Sequence, residues 1–83
     1  MFYIVYSSVT YANRIKRFFE NERGFVGIAH TPSAISSGGC SYCLRLDENK
    51  ARRAVELSRK CGIKVLGMFK EGEDKMFTKV EIV

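Results

Sequence analysis

The sequence predicts an α+β domain, an antiparallel sheet backed by two helices, and three observations lead there. Aromatic and β-branched runs of strand length recur at residues 2–7, 25–30, 64–70 and 76–83, and residues 42–46 alternate with the two-residue period of a strand. Two intervening segments carry apolar residues at helical spacing. The resulting order is strand, helix, strand, strand, helix, strand, with one strand more at the C-terminal end.

Each element has a local reason. Residues 2–7 form an aromatic and β-branched strand bounded by Ser7 and Ser8. Thr10 is placed to cap the first helix, on which Tyr11, Ile15, Phe18 and Phe19 share a face, Arg14, Lys16 and Arg17 lie off it, and Gly24 is placed to end it. Residues 25–30 make the second strand, stopped at Pro32, the only proline. In the third strand Tyr42, Leu44 and Leu46 alternate with Cys43 and Arg45. Asp47 can cap the second helix, whose face of Ala51, Ala54, Val55 and Ser58 is small enough to sit close to a sheet and whose end is marked by Gly62. Residues 64–70 form the fourth strand, 71–74 a turn, and 76–83 a fifth strand in which Val80 and Ile82 alternate against Lys79 and Glu81.

This order is the split βαβ, ferredoxin-like βαββαβ plan, an antiparallel sheet with both helices on one face, plus the extra C-terminal strand. Topology then brings the connection between the second and third strands, residues 7–10, and Cys61 with Gly62 to one end of the sheet. All three cysteines are expected near that rim, beside the N-terminus of the first helix.

The chain of 83 residues reads as a single domain, a core over 1–70 and an extension over 71–83. The apolar run at residues 1–6 is far too short to span a bilayer and has neither a basic segment before it nor a small-residue cleavage site after it, so a cytoplasmic protein is expected. Three cysteines, an odd number, suit reduced thiols better than a disulfide scaffold. The net charge of +5 invites a nucleic-acid reading. Its basic residues, however, spread over both helices as a solvated face would, and nothing resembles the paired aromatic strands of an RNA-recognition sheet. Nucleic-acid binding therefore ranks low, and no membrane association is expected.

The chemistry concentrates in residues 31–46. Ser36, Ser37, Gly38 and Gly39 can turn sharply, because glycine accepts positive φ and brings no Cβ to block its amides. Cys40 stands at the exit of that loop, where converging N–H groups favour a thiolate. Arg45 can supply a cation, or can be a surface residue of an exposed strand. A plain hairpin connection with an incidental small residue is the competing reading of the whole stretch. Cys40 and Cys43 also form a Cys-x-x-Cys, a redox spacing when it opens a helix, whereas here the second cysteine falls in a strand. His30, Cys40, Cys43 and Cys61 make up a Cys₃His zinc set with only one knuckle, which ranks lower still, and no metal or other cofactor is expected. His30 otherwise reads as a strand-end residue and Cys61 as a buried small hydrophobe. Paired carboxylates, a Ser-His-Asp arrangement and a phosphate-loop lysine are all missing, which argues against an independent enzyme.

The run Thr-Pro-Ser-Ala-Ile-Ser-Ser-Gly-Gly-Cys-Ser-Tyr-Cys-Leu-Arg, residues 31–45, resembles the small bacterial proteins described as selenium or sulfur carrier protein-like, in its proline, Ile-Ser-Ser, glycine, cysteine and strand-ending arginine. The layout of residues 2–69 follows that family as well, and the segment after Glu71 runs past its usual end. The resemblance implies that Cys40 holds sulfur or selenium as a persulfide or selenide. It further implies a donor protein, such as a cysteine desulfurase, and an acceptor protein. Cys43 stands where the family commonly has a small residue, and no role carries over to it. From a different class, the chain can be read as a small non-catalytic interaction or regulatory module, a homodimer formed through the sheet or the C-terminal strand.

Overall fold

Every residue of β1 (Phe2–Tyr6) is buried, which is the signature of a strand covered on both faces and both edges. A computed structural model, describing residues 1–19, 27–32, 42–74 and 76–80, places β1 at the centre of a five-stranded antiparallel sheet. The other strands are β2 (Gly27–His30), β3 (Tyr42–Leu46), β4 (Gly67–Glu71) and β5 (Phe77–Val80), in the spatial order β2-β3-β1-β4-β5. Tyr6 lies opposite Tyr42, Phe2 opposite Leu46 and Tyr3 opposite Phe69, so β1 is flanked by the two strands that the split βαβ reading expects.

Alternation along β1 sorts the interior into two clusters. Phe2, Ile4 and Tyr6 join Leu44, Leu46 and Met68 on one face, and there they meet Ala12, Ile15 and Phe19 from α1 (Val9–Lys16) and its following 3₁₀ turn (Arg17–Phe19), and Ala51, Ala54 and Val55 from α2 (Glu48–Lys60). Both helices therefore cover the same face. At about 1.5–3 kcal/mol for each fully buried large apolar side chain, this cluster is the main source of stability. On the other face Tyr3, Val5 and Cys43 form a smaller cluster with Ala29, Phe69 and Phe77. Gly67 leaves room there for the Phe69 ring, since a Cβ at that position would come within 3.0 Å of it.

α2 follows the sequence reading closely. Asp47 accepts the Lys50 backbone N–H at 2.9 Å, and Ala51, Ala54, Val55 and Ser58 face inward. Its C-terminus is a Schellman turn: Gly62, at φ 70°, donates to the Arg59 carbonyl at 3.1 Å and Ile63 donates to the Ser58 carbonyl at 2.8 Å.

Four expectations need correction. The cap of α1 is Ser8, whose side chain accepts from the Tyr11 N–H at 3.4 Å, and Thr10 lies inside the helix. The earlier start turns Ala12, Ile15 and Phe19 to the sheet and leaves Tyr11 and Phe18 exposed, at 40% and 50%. Cys61 is exposed rather than buried, because it caps α2 while the Schellman turn carries Ile63 into the core in its place. β4 begins at Gly67 rather than at residue 64, since residues 63–66 are used to cross from the helix layer back to the sheet, where the Leu66 N–H reaches the Val5 carbonyl at 2.9 Å. The expected end of the first helix at Gly24, the start of the second strand at residues 25–26 and the last three residues of the fifth strand lie outside the described residues. Among the described residues no helix is long and apolar enough to cross a membrane.

Candidate functional site

Ser36, Ser37, Gly38, Gly39 and Cys40 lie outside the described residues, and the frame that carries their loop is what the structure describes. His30, the last residue of β2, is the register partner of Tyr42, the first of β3. Their rings are 4.7 Å apart at a tilt of 35°. The chain that leaves at His30 thus returns beside it at Tyr42, so residues 31–41 are anchored at one point of the sheet rim.

Other segments reach the same rim. Tyr42 pairs with Tyr6, from which the chain passes through Ser7 and Ser8 into α1. The Tyr6 hydroxyl meets the Ser58 hydroxyl at 2.7 Å, which ties β1 to the last turn of α2 just before Cys61. The start of α1, both ends of the loop and Cys61 therefore share one end of the molecule, as the topology requires.

The two described cysteines differ sharply in surroundings. Cys43 is fully buried among Tyr3 and Val5, paired with Val5 on one side and Ala29 on the other. Its Sγ donates to the His30 carbonyl at 3.9 Å. Burial pushes the Cys43 thiol up, and the nearby Arg45 charge opposes this only in part, so the sulfur rests as a shielded thiol. Cys61 is exposed at the end of the helix layer, across the sheet from Cys43. Both are free thiols. Among the described residues no three His, Cys, Asp or Glu side chains come together as metal ligands, so His30, Cys43 and Cys61 form no partial zinc site.

Arg45 lies on the face away from the helices, opposite Tyr3 and Gly27. Three residues of strand, about 10 Å, separate it from Tyr42 at the rim. Its guanidinium sits 5.6 Å from the centre of the Tyr3 ring. The Tyr3 hydroxyl donates to Glu71 Oε1 at 3.3 Å, and Phe77 packs edge-on against the same ring at 5.1 Å. Burial raises the Tyr3 pKa, with Arg45 opposing and Glu71 adding to the shift. Sequence reasoning named Arg45 alone and missed this Arg45, Tyr3, Glu71 and Phe77 cluster. The available signal was strand alternation, and it becomes a cluster only once the register of four strands is known.

A family model described as "Putative Se/S carrier protein-like" matches residues 1–70. The chain belongs to that family. The match takes in the whole frame of the loop and the loop itself, and it stops just before Glu71, so the partner of Tyr3 and the whole of β5 lie beyond it. No curated protein and no solved structure matches the chain. In a Se/S carrier-like chain the soft nucleophile is the group of interest, and here the described thiols are one buried on the sheet and one exposed at a helix end.

Proposed function

We propose that the protein carries sulfur or selenium on Cys40. The observation that supports this most is the family match, which spans the loop holding Cys40. The environment of Cys43 supports it too, since that thiol is buried and shielded.

In this reading the Cys40 thiolate attacks the outer sulfur of a donor protein's persulfide. The new S–S bond forms as the donor's S–S bond breaks, the donor cysteine leaves as thiolate, and no net oxidation takes place. An acceptor nucleophile then attacks the outer atom and Cys40 leaves in turn. Selenium in the outer position follows the same exchange. The amides around Gly38 and Gly39, with the Ser36 and Ser37 hydroxyls, hold the terminal anion, and Arg45 contributes positive charge from the open face. A cysteine desulfurase is the fitting donor, and the cytoplasm, where thiols stay reduced, the fitting compartment.

The experiment is incubation with a cysteine desulfurase and cysteine without reductant, followed by intact-mass and peptide mass spectrometry. One added sulfur on Cys40, absent from Cys40→Ala, is the expected result. Sulfur spread equally over Cys43 and Cys61, or retained in Cys40→Ala, overturns the reading. A second reading, an interaction module that self-associates, rests on β5, which is an edge strand of the sheet formed by the described residues.

A further inference from the structure

Thr10, Asn13, Arg14 and Arg17 recur at intervals of three, one and three residues along α1 and its 3₁₀ turn, which puts all four on one flank of the helix. They line a cleft of about 290 Å³. All four are exposed, and among the described residues neither Arg14 nor Arg17 has an acidic partner. α1 itself contains no Asp or Glu. α2 is the informative contrast, for there Lys50, Arg52 and Lys60 meet Asp47, Glu48 and Glu56 at 3.1, 3.3 and 3.8 Å along the same helix. The charge of α2 is largely answered within its own surface, whereas among the described residues that of the α1 flank has no such answer.

Among the described residues the cleft presents a hydroxyl, a carboxamide and two guanidinium groups and no carboxylate, a lining suited to an oxyanion. Guanidinium forks bond such groups bidentately, and two of them favour a dianion over a single carboxylate. From Thr10 to Arg17 the helix rises only about 10 Å, room for one phosphoryl group rather than a track of successive phosphates. The cleft runs from Thr10 in the first turn along the side of the helix, and the cap position itself is occupied by Ser8, which accepts the Tyr11 N–H.

We propose that this flank of α1 binds a phosphate monoester, with Arg14 and Arg17 clamping the phosphoryl oxygens and Thr10 and Asn13 donating from either side. The proposal stands apart from the chemistry of Cys40. It is tested by NMR on the ¹⁵N-labelled full chain, titrated at constant ionic strength and neutral pH with inorganic phosphate, a small phosphate monoester, acetate and chloride, and separately with single-stranded oligonucleotides of increasing length. The expected result is saturable shifts of the Asn13 side-chain amide and the Arg14 and Arg17 Nε–H signals with phosphate and the monoester. Binding should weaken at least tenfold in the double variant Arg14→Gln/Arg17→Gln and be retained in Lys16→Gln. Tighter binding of the monoester than of phosphate identifies a phosphorylated small molecule as the natural source, and equal binding identifies free phosphate. Shifts that track chloride or acetate equally, or an affinity that grows with oligonucleotide length, overturn the proposal. The comparison of anions on the unaltered chain decides the matter even if the double variant fails to fold.

Discussion

Tyr6 brings a hydroxyl into the core at 0% exposure, and Ser58 receives it at 2.7 Å. The Ser58 proton is already committed to the Ala54 carbonyl at 2.7 Å, so Tyr6 is the donor of the pair. The two deletions are then unequal. Tyr6→Phe leaves Ser58 bonded to Ala54 and should cost about 1 kcal/mol, while Ser58→Ala strands a buried hydroxyl and should cost nearer 1–3 kcal/mol in urea denaturation. The reverse order would mean that the donor is assigned wrongly. Burial also pushes the Tyr6 pKa up from 10.0 to about 12. Between those values the unfolded chain loses the phenolic proton and the folded chain keeps it, so stability present below pH 10 should fall as pH rises toward 12. Tyr6→Phe should flatten that alkaline decline. At this scale the sequence was legible where a side chain's setting is local and illegible where it is not. Ser58 could be assigned to the inner face from helical spacing, but the same spacing misplaced Cys61, because a Schellman turn ends the helix and hands the buried position to Ile63.

α2 is the element most fully written in the sequence, since its cap, its small inward face and its terminating glycine are all encoded within the helix and its flanks. Asp47 accepts from the Lys50 backbone N–H at 2.9 Å and pairs with its ammonium at 3.1 Å. The Lys50 backbone N–H, and after it the side chain, hold the Asp47 carboxyl below its ordinary 3.8. Asp47→Ala should therefore destabilise the protein by about 1 kcal/mol at neutral pH. Because the folded-state pKa is depressed, that difference should shrink as pH falls through and below the ordinary carboxylate range. Asp47→Asn, which keeps an acceptor, should cost less. Chemical denaturation of the three proteins at neutral and acid pH reads both effects, and a cost for Asp47→Ala that does not change with pH would argue that the charge plays no part. α1 was less legible because Ser8 and Thr10 both offer a cap. The choice between them depends on where β1 stops, and the burial of Tyr6 against α2 settles that from outside the helix.

The antiparallel sheet and its two helices emerged from the succession of elements, but the cluster of Arg45, Tyr3, Glu71 and Phe77 did not, because it joins four strands whose register no local pattern encodes. The frame of the loop could be anticipated from the succession of elements, and residues 33–41 lie outside the described residues. β5 adds the outermost strand and lays Phe77 on the Tyr3 ring. If the protein is a homodimer joined through that edge, deleting residues 75–83 should lower its sedimentation coefficient to that of a monomer, and an unchanged oligomer would place the contact elsewhere. The deletion should also destabilise the fold by uncovering Tyr3 and Phe69. The central position of β1 has a consequence for biosynthesis. β1 leaves the ribosome before the other strands of its sheet, yet one of its neighbours, β4, emerges only when Glu71 does, and the Glu71 N–H closes on the Met1 carbonyl at 3.0 Å. Until then five residues destined for burial are left with an unpaired edge, and an exposed apolar strand of that kind is the part of a nascent chain most prone to aggregate.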